Sequence, residues 1–184
     1  ANMGRPGELR LFDVDFSRHF RYCLETGRSP VPERELTSLA IDVPATALHD
    51  EPAGFERATV GGETVSGDRL AVLETVLEKL WEIDPDVLVL STAAIVPQLF
   101  DVAAAHDRDL IRVGRKPGYR TLAGQSTYES YGQVGHSPAR YAVPGRAIVD
   151  RSNSFFYGET NLAGILDLVE RSHKPLQEAA WASI

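Results

Sequence analysis

The sequence contains little cysteine and has no long apolar run. Cys23 is the single cysteine among 184 residues, which excludes an internal disulfide and a cysteine-cluster metal site. A lone cysteine is typical of the reducing interior of a cell. No apolar run approaches the roughly 20 residues needed to span a bilayer, and the first residues do not have the pattern of a signal peptide. We therefore expect a cytoplasmic protein with no membrane partner.

Lysine is also scarce. The chain has 26 acidic and 19 basic residues, a formal net charge of −7, and only Lys79, Lys116 and Lys174 are lysines. Scarce lysine with excess acid suits a salt-adapted protein, and it equally suits a GC-rich genome, which favours arginine and alanine. The acidic balance argues against a broad, non-specific nucleic-acid surface, although it is compatible with a local basic groove.

Length and composition predict one domain with a substantial core. The chain is 43 % hydrophobic and 24 % charged, which is ordinary for a globular protein. Residues 1–8 resemble a tag or linker, and residues 9–184 form the predicted domain. Because the last residues still have a helical pattern, we expect a fragment of a longer protein.

Hydrophobic periodicity predicts several strands followed by alternating helices and strands. The predicted strands are 9–16, 36–43, 55–65 (with a Gly-Gly turn inside it), 86–91 and 145–150. The predicted helices are 68–83, 96–106, 160–172 and a last one from 175 onward, and a protruding β-hairpin is predicted at about 127–143. The stripe of the 68–83 helix, which ends at Trp81, is predicted to be core, with Ser66 as the N-cap. We expect Asp150 to cap the segment that follows it or, alternatively, to lie near the acid cluster, and we expect Arg146 to form an internal ion pair.

Three strands in a meander followed by helix-linked strands predict an α/β fold, specifically a ribonuclease-H-like mixed β-sheet flanked by helices. A doubly wound nucleotide-binding fold is less compatible with this order. It requires strand–helix alternation from the start, and no G-x-G-x-x-G follows the first strand.

Two acids lie on one face of the first predicted strand. Asp13 and Asp15 are two residues apart in the run "LRLFDVDFSR". Carboxylates in this arrangement bind Mg²⁺ or Mn²⁺, and two such ions activate water and stabilise the leaving oxygen in nucleases. The alternative is a pair of acids at a solvated sheet end.

A more specific pattern follows in the segments "IDPDVLVLS", "ARYAVPGRAIVDRSN" and "ETNLAGILDLVERSHKP". Their order and spacing resemble the 3′–5′ exonuclease domain of family B DNA polymerases, in particular a divergent group from halophilic archaea. The resemblance implies DNA as a partner, as a single-stranded 3′ end or a primer-template. It also implies a role in DNA replication, with the remaining polymerase domains in the same chain.

The resemblance places the first-motif metal ligands at Asp13 and Asp15, where the family has aspartate and glutamate. The second motif departs from the family, because Thr92 stands near its asparagine and Pro97 near its aspartate. Asp101 is a substitute only if the helix shifts by about one turn. Trp181 stands near the tyrosine of the third motif. We therefore expect a domain that has lost most or all exonuclease activity.

Basic and aromatic residues are the candidate nucleic-acid contacts. The turn "GRKPGYR" and the predicted hairpin supply them: Arg115, Lys116, Tyr119, Arg120, Tyr128, Tyr131 and Arg140. Cationic side chains neutralise phosphates, and aromatic rings stack on unpaired bases. The alternatives are a solvated basic turn and ordinary cross-strand pairs of a hairpin.

Three hypotheses follow. The first is a degenerate exonuclease domain that acts as a structural, DNA-facing module. The second is an active exonuclease that uses Asp13, Asp15 and Asp101 with Mg²⁺ or Mn²⁺. The third is a protein-interaction module on the same fold.

Overall fold

The computed structural model describes residues 16–44, 55–108, 110–130 and 133–181. Within them the helices are α1 (Arg18–Thr26), α2 (Arg69–Ile83), α3 (Ile95–Ala105), α4 (Phe155–Ser172) and α5 (Leu176–Ala180). The strands are β1 (Ser38–Asp42), β2 (Arg57–Val60), β3 (Glu63–Ser66), β4 (Val87–Leu90), β5 (Arg120–Ala123), β6 (Ser126–Ser130), β7 (Gln133–Ser137), β8 (Arg140–Ala142) and β9 (Ala147–Asp150).

Five of these strands form one mixed sheet in the order β3-β2-β1-β4-β9. Strands β1, β4 and β9 are parallel, with Leu39 opposite Leu88 and Leu88 opposite Ile148. Strands β2 and β3 continue the sheet in antiparallel pairing from β1. The predicted α/β class with a mixed sheet flanked by helices is therefore confirmed.

The Gly-Gly turn predicted within the third strand, 55–65, is confirmed, because the chain reverses there. Gly61 and Gly62 have φ angles of 58° and 91° and connect β2 to β3. Two consecutive positive φ angles are those of a tight hairpin turn, which glycine adopts without a steric penalty. The Gly-Gly pair thus makes two short strands from one apolar segment.

Both faces of the sheet are covered, since successive residues of a strand point to opposite sides. In β4, Leu88 and Leu90 pack with residues of α2 and α3, whereas Val87 and Val89 pack with residues of α4 and α5. All four side chains are buried. The continuous apolar run of β4 is thus the sequence of a central strand between two helical layers.

Helix α2 begins at Arg69, one residue later than predicted, and its N-cap is Asp68 and not the predicted Ser66. The Asp68 carboxylate accepts a hydrogen bond from the backbone N–H of Ala71 at 2.9 Å. The helix ends where Asp84 adopts φ 43° and Pro85 follows.

The prediction that Trp81 belongs to the core is wrong. The buried side chains of α2 are Val72, Leu73, Val76 and Leu80. Trp81 lies about 80° around the helix from Leu73, beyond the edge of that stripe, and its side chain is 80 % exposed. The three- and four-residue spacing predicted Trp81 as core because residues at the border of an apolar stripe recur at nearly the same spacing as residues inside it.

The predicted hairpin is present and extends further than predicted. Strands β6 and β7 pair from Ser126–Ser137 to Ser130–Gln133, and β5 pairs with β8 in a second two-stranded sheet. Residues 120–127, from β5 to the start of β6, are all exposed to solvent. Tyr119 and Tyr141, at the base of these strands, pack against the core of the five-stranded sheet.

Several predictions fall at the N-terminal end of the chain. Residues 1–8 and nearly all of the predicted strand 9–16 lie outside the described residues. The segment 36–43, predicted as the second strand, contains β1, the central strand of the sheet. Helix α1 was not predicted; Ser17 caps it by accepting a hydrogen bond from the N–H of Phe20 at 3.1 Å. No helix among the described residues is both long and apolar enough to cross a bilayer.

Candidate functional site

The ends of the three parallel strands form two distinct polar edges. At one edge β1, β4 and β9 end with Asp42, Leu90 and Asp150, followed by Ser91 and Arg151. We call Asp42, Ser91, Asp150 and Arg151 the carboxyl edge. At the other edge, where the strands begin, a group of charged residues is collected: Arg34, Asp84, Asp86, Arg115 and Arg146. We call this group the amino edge.

The carboxyl edge is organised around an ion pair. The Arg151 guanidinium donates to the Asp42 carboxylate. Their side chains are 40 % and 35 % exposed, so the pair is accessible to solvent. The backbone fixes both residues, because the N–H of Arg151 donates to the carbonyl of Leu90 at 2.9 Å and Asp42 ends the central strand.

Ser91 and Asp150 complete this edge with local hydrogen bonds. The Ser91 hydroxyl accepts from the N–H of Val43 at 3.2 Å. The buried Asp150 carboxylate accepts from the N–H of Ser152 at 3.0 Å and from its hydroxyl at 2.7 Å. The N-cap of α4 is Ser154, so Asp150 caps the turn after β9 and not the helix itself. Asp150 holds the turn that leads from β9 into α4.

The amino edge is a closed network centred on Asp86, whose side chain is 9 % exposed. Arg34 donates to both of its carboxylate oxygens, at 2.8 and 2.6 Å, and Arg115 donates to one at 2.9 Å. The backbone N–H and hydroxyl of Thr37 add two hydrogen bonds at 3.1 Å. The hydrogen bonds from Arg34 are the main cause of a pKa of Asp86 far below its usual range; burial opposes them.

Arg146 extends the network into the interior. Its side chain is 5 % exposed and pairs with Asp84 at 3.0 Å, so the predicted internal ion pair is confirmed. The guanidinium also donates to the carbonyl of Val113 at 3.1 Å and to that of Pro85. Burial lowers the pKa of Arg146, while the charge of Asp84 raises it. These contacts lock three chain segments together.

The predicted nucleic-acid contacts have different environments in the structure. Arg115 belongs to the amino edge, where it contacts Asp84, Asp86 and the carbonyl of Gly145. The Tyr119 ring packs against the Phe100 ring, with the two ring centroids 4.8 Å apart. Lys116 and Arg120 are exposed and have no ion-pair partner among the described residues. These two remain the most accessible cations of the basic turn.

The hairpin residues are only partly described. The Arg140 guanidinium lies over the Trp181 ring, 5.7 Å from its centroid. Tyr128 lies on β6, but its side chain is outside the description, and Tyr131 lies outside the described residues. Stacking of these rings on unpaired bases stays a prediction.

The grouping of the three predicted metal-binding acids stays a prediction. Asp13 and Asp15 lie outside the described residues, and Asp101 is an exposed residue of α3. Within 16–44, 55–108, 110–130 and 133–181, no group of three or more acidic, histidine or cysteine side chains is arranged to hold a metal ion. The acids at the carboxyl edge accept hydrogen bonds from Arg151 and Ser152 instead.

Sequence reasoning missed Asp42 and Arg151. The signal was present in "LAIDVP", an apolar run that ends in an acid, and in the arginine directly after "GRAIVD". Their proximity depends on the parallel alignment of β1, β4 and β9, which periodicity alone does not give. No protein-family model matches the chain, and no curated protein is significantly similar to it.

Proposed function

We propose that this chain is a ribonuclease-H-like domain related to the 3′–5′ exonuclease domain of family B DNA polymerases, and that it contacts DNA without retaining nuclease activity. The observation that carries the proposal is the carboxyl edge. There the acid at the end of the central strand is paired with an arginine.

The strand order supports the fold assignment. A meander of three strands, β1 to β3, is followed by β4 and β9 added in parallel on the other side of β1. The order β3-β2-β1-β4-β9 is that of a ribonuclease-H-like meander when β1 is taken as its first strand; the segment 9–16, predicted as the first strand, lies almost entirely outside the described residues. In open α/β sheets, ligands bind outside the carboxyl ends of the parallel strands.

The loss of nuclease activity is supported by the residues around Asp42. The family's opening strand has an aspartate followed two residues later by a glutamate. Asp13 and Asp15 are one assignment of that pair; β1 supplies another, with Asp42 at the aspartate and Pro44 at the glutamate. Proline has no side-chain oxygen to bind a metal, and Arg151 already neutralises Asp42. Since two-metal catalysis needs several anionic ligands, the second assignment leaves too few.

DNA contact is supported by the exposed cations near the base of the hairpin. Lys116 and Arg120 are accessible and uncommitted within the described part of the chain. Phosphate contacts of this kind supply affinity that falls as salt rises. We expect weak, salt-dependent binding, because the chain as a whole is acidic.

The test uses two measurements on the same preparation. Fluorescence anisotropy with a 5′-labelled primer-template at low salt measures binding, and gel analysis with Mn²⁺ measures removal of 3′ nucleotides. We expect binding that weakens with added salt, and no digestion. Lys116→Glu and Arg120→Glu are each expected to weaken binding several-fold. Arg57→Glu, an exposed arginine of β2, is the matched control.

Two outcomes would contradict the proposal. Mn²⁺-dependent digestion that disappears in Asp13→Ala, Asp15→Ala or Asp42→Ala would identify an active exonuclease and its first ligand. Absence of binding at low salt, where phosphate contacts are strongest, would remove DNA as a partner.

A further inference from the structure

The two outer strands of the five-stranded sheet differ in character. Strand β3, at one end, has the sequence ETVS, and three of its four residues are exposed. Strand β9, at the other end, has the sequence AIVD, and three of its four residues are buried. An outer strand with unpaired backbone groups can pair with a strand of another molecule, and proteins protect such edges with charge or with a covering segment. The polar sequence of β3 protects that edge, whereas the apolar β9 needs a cover.

The backbone of β9 points alternately toward β4 and toward the outside of the sheet. The N–H of Ala147 donates to the carbonyl of Asp86 at 2.9 Å. The N–H of Arg151 donates to the carbonyl of Leu90 at 2.9 Å. Because the backbone groups of successive strand residues point to opposite sides, the N–H and C=O of Ile148 point away from β4. Ile148 therefore has a backbone donor and a backbone acceptor at the outer edge.

The side chain of Gln177, from α5, binds both of these groups. Its Oε1 accepts a hydrogen bond from the N–H of Ile148 at 2.8 Å, and its Nε2 donates to the carbonyl of Ile148 at 2.8 Å. In an antiparallel sheet, two directly opposite residues exchange two N–H···O=C hydrogen bonds in this way. The Gln177 amide therefore replaces the peptide groups of a sixth strand next to β9.

Helix α5 is held beside β9 by apolar contacts as well as by these hydrogen bonds. Ala179 and Ala180 are buried in the same cluster as Val149 of β9. The carbonyl of Pro175 accepts a hydrogen bond from the N–H of Ala179 at 3.0 Å, which fixes the first turn of the helix. A substitution at Gln177 therefore removes the two hydrogen bonds to β9 while the buried contacts of α5 remain.

We propose that Gln177 closes the outer edge of β9 and thereby prevents two copies of this chain from pairing through that strand. A second copy is the partner that fits the edge, because antiparallel pairing of β9 with itself about a two-fold axis is self-complementary. In such a pair the backbone donor and acceptor of Ile148 meet the same groups that Gln177 now supplies. This role is independent of the proposed DNA contact, since it involves only α5 and β9.

The test compares wild type with Gln177→Met, because methionine is unbranched, fills a similar space and has no amide. Hydrogen–deuterium exchange of the Ile148 amide is read by NMR, and sedimentation velocity gives the mass, both over a series of protein concentrations. At low concentration we expect the Ile148 amide of the variant to exchange at least about tenfold faster than in wild type. At high concentration we expect the variant to dimerise and its Ile148 amide to become protected again, while wild type stays monomeric.

Two further variants separate the hydrogen bonds from other effects of the substitution. Gln125→Met makes the same chemical change at an exposed position between β5 and β6, and it should leave both measurements unchanged. Gln177→Ala removes the amide without adding apolar surface, and it should reproduce the faster exchange and the dimer. Circular dichroism establishes that each variant is folded, and Gln177→Ala decides the test if Gln177→Met is not.

Several results would overturn the proposal. One is a folded Gln177 variant that stays monomeric at every concentration or whose Ile148 amide exchanges at the wild-type rate. Another is a dimer in which the Ile148 amide still exchanges fast, because the two copies would then pair elsewhere. Equal dimerisation of wild type would show that the edge is not closed, and equal dimerisation of Gln125→Met would show that added apolar surface alone is sufficient.

Discussion

The two edges of the parallel strands contain similar residues in different environments. Each edge has an aspartate paired with arginine. At the amino edge, the Asp86 side chain is buried and accepts five hydrogen bonds. At the carboxyl edge, Asp42 is accessible to solvent and accepts a hydrogen bond from one arginine, Arg151. The amino edge is therefore a structural device that fixes where β1, β4 and β9 begin. At the carboxyl edge, by contrast, the ion pair of Asp42 and Arg151 is accessible to solvent.

The comparison also shows that a basic segment of sequence is not by itself a nucleic-acid site. The basic turn "GRKPGYR" attracts attention as a nucleic-acid site, but Arg115 is held in the amino edge. A buried or networked arginine contributes to stability, whereas an exposed arginine without an ion-pair partner is available for recognition. The predictions below test this division from the largest expected effect to the smallest.

Arg146→Ala is expected to produce the largest loss. It leaves the carbonyls of Pro85 and Val113 without a donor in the interior and removes the partner of Asp84. We expect the free energy of unfolding to fall by about 3 kcal/mol, measured by urea denaturation. Arg171→Ala, which removes an exposed ion pair with Asp167, is the control and should cost under about 0.5 kcal/mol.

Asp86→Ala is expected to lower the free energy of unfolding by about 2 kcal/mol. The loss comes from charge-assisted hydrogen bonds to two arginines and to Thr37, reduced because the Arg34 side chain is 63 % exposed. Urea denaturation again measures it. A change below about 0.5 kcal/mol would show that the amino edge is no more structural than a surface pair.

Acid should remove the contribution of Asp86. Its pKa is lowered in the folded state, whereas an unfolded aspartate titrates at about 3.9. The stabilisation is therefore present above about pH 4 and decreases as the pH falls below that value. We expect the stability difference between wild type and Asp86→Asn to shrink between about pH 4 and pH 2. A difference that stays constant over this range would contradict the assigned hydrogen bonds.

Asp42→Ala should have the smallest effect, under about 1 kcal/mol, because its ion pair with Arg151 is exposed to solvent. A double-mutant cycle with Arg151→Ala isolates the pair, and we expect a coupling below about 1 kcal/mol that weakens with added salt. Equal losses from Asp42→Ala and Asp86→Ala would remove the distinction between the edges.

Much of the sheet was predictable because its strands carry strong local signals. The runs that became β1, β4 and β9 are apolar, short and bounded by turn residues. The hairpin was predictable from a polar, aromatic stretch that contains glycine and proline. The turn at Gly61 and Gly62 was predictable from the glycine pair itself, whereas the cap of α2 was misplaced, since Asp68 rather than Ser66 supplies it.

The candidate site was less predictable, since its residues come from distant parts of the chain. Asp42 and Arg151 are 109 positions apart, and Arg34 and Asp86 are 52 apart. Asp13 and Asp15, two residues apart in one strand pattern, were visible to sequence reasoning; a pair formed across strands was not. Trp81 shows the same limit, because periodicity does not mark where a buried stripe ends.

The sequence by itself determined the α/β class, the central apolar strands, the reversal at the hairpin and the cap at Asp150, because each follows from residues close together in the chain. Only the tertiary structure decided which arginines are structural, which acid ends the central strand and which tryptophan faces solvent. Those outcomes depend on how parallel strands align and which helix face meets the sheet, and both are set by contacts between segments far apart in sequence.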